Sequence, residues 1–115
     1  MNDNQKAHQL ELVRKNISED GFIETFEIGR YEVHLFRYPN GILYINVSSE
    51  EEPYLPYIHT NSYGEPLDFA IKVSFYGDCI LKEKEITKVI DGLKEAKEVV
   101  EILTKKFAGG NENVV

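Results

Sequence analysis

Residues 85–107 carry an apolar repeat that constrains the fold more than any other stretch. Ile86, Val89, Leu93, Ala96, Val100, Leu103 and Phe107 recur every three or four positions. That spacing places all seven on one stripe of an α-helix. Ile90, Val99 and Ile102 widen or flank the stripe, and most other positions are Lys, Glu, Asp or Thr. The pattern predicts a helix over 83–107, ended by Gly109-Gly110, with Lys105 and Lys106 in its last turn where the dipole favours cations. A chain built around such a helix needs a partner surface, and the residues before it alternate as a sheet does.

Phe22, Phe26 and Ile28 share one face of an expected strand over 22–28, with Glu24 interrupting the row. Gly29-Arg30 has the form of a two-residue hairpin turn with Gly in first place. Tyr31, Val33 and Leu35 face one way in a second strand over 31–38, and Glu32, His34 and Phe36 face the other. Pro39-Asn40-Gly41 is a strong turn signal, because Asn-Gly accepts the positive φ of a tight hairpin. A third strand over 42–48 turns Leu43, Ile45 and Val47 inward and Tyr44 and Asn46 outward. The three make an antiparallel meander.

Residues 49–66 show neither a period of two nor one of 3.6, and Pro53, Pro56 and Pro66 break regular structure there. Phe69, Ile71, Val73 and Phe75 then alternate with polar or small neighbours, predicting a fourth strand over 68–76 at either edge of the meander. Gly77-Asp78 turns the chain toward the helix. Ahead of the meander, Ala7, Leu10, Val13 and Ile17 suggest a short helix over 4–17, broken by Ser18-Glu19-Asp20-Gly21. Residues 111–115 are expected to be a flexible tail. The fold class expected is therefore α+β: one domain over 1–110, with a short N-terminal helix, a four-stranded mainly antiparallel sheet and a long helix on one sheet face.

The chain has 115 residues, enough for a single core. Its single cysteine, Cys79, excludes an internal disulfide, and no apolar run approaches the ~20 residues of a membrane span. With no basic n-region at the start, these features predict a cytoplasmic protein. The net charge is −7. No Lys or Arg occurs between Arg37 and Lys72, a gap that holds Glu50, Glu51, Glu52 and five of the seven tyrosines. Such a surface repels phosphate backbones and attracts basic partners. Nucleic acid is disfavoured as a ligand.

Catalytic signals are thin. Cys79, the one thiol of the chain, has His34 or His59 as candidate imidazole partners, and no local signature surrounds it. His34 or His59 with Glu50–Glu52 lacks the spacing of a structural metal site, and no phosphate-cradling loop is present. No catalytic residue, metal or cofactor is assigned on this basis, and an enzyme is the least favoured class.

What remains is the acidic, tyrosine-bearing loop. Glu50, Glu51, Glu52, Tyr54, Tyr57, His59 and Tyr63 form the candidate binding surface. Tyrosine offers large contact area at low entropic cost, and proline lowers the ordering penalty. The expected function is a small interaction or regulatory module that binds another protein, a basic one being favoured by charge, through residues 50–63 and the adjacent sheet. The alternative is a small-ligand domain with a pocket between that loop and the open sheet face, lined by Tyr44, Tyr54, Tyr57 and His59. A helix over 84–107 would run about 36 Å and outreach strands of about 25 Å. Val99 and Ile102 add apolar surface near its C-terminal half, to be covered by the N-terminal helix or the long loop, or else to serve as the candidate contacts of a homodimer.

Overall fold

Tight turns and alternating burial build the first half of the chain into a sheet in simple sequence order. In the computed structural model, which describes residues 10–39, 43–49, 54–61, 67–73 and 80–108, this sheet has four antiparallel strands. They are β1 (Val13–Ile17), β2 (Ile23–Ile28), β3 (Tyr31–Arg37) and β4 (Leu43–Ser49). A second, two-stranded antiparallel sheet pairs β5 (Tyr57–Thr60) with β6 (Phe69–Lys72). One long helix, α1 (Glu83–Leu103), follows and runs on as a π-helical turn over Thr104–Ala108. The architecture is α+β.

The β2–β3 hairpin closes at Gly29, whose φ of +56° is a conformation that side chains rarely adopt, and sets Ile28 opposite Tyr31. From that register Phe26 falls opposite Val33, and Val33 opposite Val47. Phe26, Ile28, Tyr31, Val33, Leu35, Ile45 and Val47 thus share one face, and all are buried. α1 covers this face with Ala96, Val99 and Leu103, while Leu55, Ile58 and Phe69 complete the same core. Phe107, in the π-helical turn, meets Phe26 edge-on at 6.0 Å. At the start of α1 the Glu85 carboxylate accepts the Lys82 backbone N–H at 2.9 Å, and Glu83 and Glu85 complement the helix dipole.

Side-chain bonds tie the helix to the sheet. Glu95 closes the hairpin turn: its Oε2 accepts the Arg30 backbone N–H at 2.7 Å and its Oε1 accepts Arg30 Nε at 2.9 Å. Glu98 Oε2 accepts the Leu10 backbone N–H at 2.7 Å. Carboxylates on one side of α1 therefore hold two main-chain donors that no strand pairing satisfies.

Two expectations are corrected. The N-terminal helix is not seen: Val13–Ile17 is a strand paired to β2, with a register shift between Arg14 and Asn16, and residues 4–9 lie outside the described residues. Pairing there satisfies the outer edge of β2, which a helix would leave unbonded. Residues 69–72 do form a strand, but it joins neither edge of the meander and pairs with β5 inside the stretch expected to be irregular. Tyr57-Ile58-His59-Thr60 alternates exposed and inward positions directly after Pro56, so the proline precedes the strand and costs it no ladder bond. Asn40, Gly41, Gly77, Asp78, Gly109, Gly110 and the 111–115 tail lie outside the described residues.

Candidate functional site: the open face of the sheet

In an antiparallel sheet, residues directly opposite one another project from the same face. The register therefore writes out the face turned away from α1 as three rows. Ile23, Phe36 and Tyr44 stand in the first. Asn16, Thr25, His34 and Asn46 form the second, one residue from each strand. Val13, Glu27, Glu32 and Ser48 form the third. Across the sheet the surface passes from apolar to neutral polar to acidic.

The rows are internally connected. Phe36 and Tyr44 pack edge to face with centroids 5.5 Å apart, while Ile23 beside them is 41% exposed. His34 Nε2 lies 3.1 Å from Glu32 Oε1, a hydrogen bond when the imidazole is neutral and an ion pair when it is protonated. Lys15, at the irregular step of β1, reaches Glu27 Oε1 at 3.7 Å. Such exposed pairs contribute little to stability, so the acidic row is held near water rather than sequestered.

On the covered face, Glu24 sits in line with Phe26 and Ile28 and is only 4% exposed. Its charge is met from both neighbouring strands. Arg37 donates through Nε at 3.1 Å and Nη2 at 2.8 Å to Oε1, and Arg14 Nη2 stands 3.0 Å from Oε2. The Arg14 guanidinium also lies 5.9 Å from the Phe26 ring centroid. The glutamate that seemed to interrupt the apolar row is a member of it, neutralised by arginines on the strands either side.

Residues 54–58 are pinned rather than free. Tyr54 has φ +67°, its carbonyl faces α1 at Gly92, and Leu55 and Ile58 are buried. The buried Tyr31 hydroxyl donates to the Pro56 carbonyl. Burial, and then the Glu95 charge, push the Tyr31 phenol up to about 12, against an opposing pull from Arg30.

Of the expected binding residues, Tyr57 and His59 project outward from β5, with Tyr57 51% exposed, and Tyr54 is half-buried. Glu50, Glu51, Glu52 and Tyr63 lie outside the described residues, as does Cys79. Tyr44 is on the face turned from α1, and the Tyr54 main chain abuts α1. Val99 is fully buried within the chain and has no surface to offer a second copy, while Ile102 is partly buried against the same core. The apolar surplus of the helix lies at its other end, on Ile86, Ile90 and Leu93.

Among the described residues no three His, Cys, Asp or Glu side chains are grouped to hold a metal ion, and no helix is long and apolar enough to cross a membrane. No protein-family model, curated protein or solved structure matches this chain. The Arg14–Glu24–Arg37 cluster and the three-row order of the open face escaped the sequence reading. Both depend on strand register, which alternation within one strand does not specify.

Proposed function

We propose that the chain is a small protein-binding module that docks a partner on the open face of its four-stranded sheet. The supporting observation is the in-register succession of rows, Ile23–Phe36–Tyr44 to Glu27–Glu32–Ser48, on a face that α1 does not cover. The outer rows are four residues apart along the strands, about 13 Å. A matching partner places an apolar anchor over the first row and a Lys or Arg over the third. Net charge −7 steers such a partner toward the face, and the aromatic row supplies contact area at low entropic cost. Tyr57 and His59, exposed on β5, belong to a separate two-stranded sheet and are not needed for this docking.

Capture from the native host with the full chain, identification of what binds, and calorimetry on the purified pair form the test. Ile23→Asp is expected to weaken binding at least tenfold, about 1.4 kcal/mol. Glu32→Lys is expected to slow association and flatten its salt dependence. Unchanged affinity in the Ile23→Asp, Tyr44→Ala double variant would sink the assignment of this face.

A further inference from the structure

α1 carries a second stripe, on a flank the core does not use. Ile86, Ile90 and Leu93 are 46%, 46% and 37% exposed, whereas Gly92, Ala96, Val99 and Leu103 turn inward. Continuing the same spacing one step each way reaches exposed Glu83 and Lys97. The stripe is therefore Glu83, Ile86, Ile90, Leu93, Lys97: an acid, three apolar residues and a base, repeating at three, four, three and four. Such spacing forms one seam along a helix.

This seam is complementary to its own reverse. Glu83 and Lys97 lie seven residues to either side of Ile90, each about 10.5 Å from it along the axis. Ile86 and Leu93 lie four and three residues away, a mismatch of about 1.5 Å that side chains absorb.

We propose that a second copy of the chain packs antiparallel along this seam, with the two-fold axis beside Ile90. Ile90 then meets its own counterpart, Ile86 packs beside the partner's Leu93, and Glu83 faces the partner's Lys97. The contact is isologous and closes on itself. A parallel pairing would oppose Glu83 to Glu83 and Lys97 to Lys97, so the charges select the antiparallel arrangement. Lys97 pairs with Glu101 at 3.0 Å within its own chain, but its side chain is 73% exposed and its ammonium has three donors to share. The seam lies on α1, apart from the open sheet face, and stands whether or not that face binds a partner.

Three apolar residues per copy are few beside the ~20 of a standard interface, so the dimer is expected to be concentration-dependent. Light scattering on a sizing column should show the mass rise from 13.2 kDa toward twice that value as concentration increases. Ile90→Glu should stay at the monomer mass with an unchanged circular dichroism spectrum, because Ile90 is exposed in the single chain. Glu83→Lys and Lys97→Glu should each weaken association, and the two together should restore it. In a Cys79→Ser background, Ile90→Cys should cross-link on mild oxidation. A monomer mass up to about 1 mM would overturn the proposal. A dimer unaffected by Ile90→Glu, charge changes that add rather than cancel, or an Ile90→Cys chain that does not cross-link would each overturn it as well.

Discussion

Gly92 of the helix lies directly against the carbonyl oxygen of Tyr54: a Cβ built on Gly92 would stand 2.7 Å from that oxygen. The same Cβ would sit 3.4 Å from the Pro56 ring and 3.6 Å from the Leu55 Cα. The contact is backbone to backbone, with no flexible side chain to give way. Tyr54, at φ +67°, occupies a region that costs a non-glycine residue roughly 1–2 kcal/mol. The close approach of helix and turn is therefore made at some expense on the turn side.

Gly92→Ala follows from that geometry. In an unhindered helix the change gains about 1 kcal/mol. Here the added methyl strikes main chain, and the net result is expected to be a loss of about 1–3 kcal/mol, read by urea denaturation. A gain in stability would show that the 54–56 turn yields at little cost.

The turn and β5 divide packing from display. Leu55→Ala is expected to cost about 2–5 kcal/mol, as for other buried leucines. Tyr57→Ala should stay within about 1 kcal/mol, since its ring is exposed. Equal losses for the two would place Tyr57 in the core and remove it from any docking surface.

Glu24 predicts an asymmetry. Glu24→Gln leaves two guanidiniums that are half in water and rehydrate, so its cost should be about 1–2 kcal/mol. The Arg14→Met, Arg37→Met pair strands a buried carboxylate and should cost about 3 kcal/mol or more. Thermal melts of both variants at neutral pH check the order; the reverse order would mean the arginines, not the carboxylate, carry the desolvation.

Tyr31 should reveal itself in alkali. Its folded value of about 12 lies above the ordinary 10.0, so the fold favours the neutral phenol. That contribution is whole below pH 10.0 and is lost as pH rises through about 12. Absorbance at the phenolate band should show a phase near pH 12 that Tyr31→Phe removes. The variant should also lose about 1 kcal/mol with the bond to Pro56. An unchanged titration would mean that water reaches this hydroxyl.

The elements the sequence displays well are those whose signal is local. Gly29-Arg30 marks a turn by itself, and the alternation of Tyr31, Val33 and Leu35 marks its strand. The apolar repeat from Ile86 onward gave the helix, though its regular part stops at Leu103. β1 does not announce itself as a strand, because all five residues of Val13–Ile17 are exposed and Leu10, Val13 and Ile17 fit a helical spacing. β6 was recognised as a strand but misplaced, since alternation tells which way a residue points and not which strand lies beside it.

Within the candidate site, the outward set of β3 and β4 was legible: Glu32, His34, Phe36, Tyr44 and Asn46 do share the open face. Its order into rows was not, because rows are made by pairing across strands. Of the two readings open for Val99, covering within the chain and a dimer contact, its complete burial fits the first. Val99 and Phe26 belong to one core, against which Phe107 packs, and the meeting of Phe26 with Phe107 is one that no single-strand or single-helix pattern contains. Gly92 stands inside a helix, where glycine is unfavourable by about 1 kcal/mol against alanine, and only the structure shows the main chain packed against it.

The order of elements also bears on how the protein is made. α1 follows all six of the described strands, so Phe26, Val33, Leu35 and Ile45 are synthesised well before Ala96, Val99 and Leu103 can shelter them. A nascent chain emerging at ~5–20 residues per second holds a greasy, half-built sheet for several seconds. During that interval it is a natural client for chaperones. A ribosome that stalls before Ala96 releases a sheet with one bare oily side, the kind of fragment that quality control must clear.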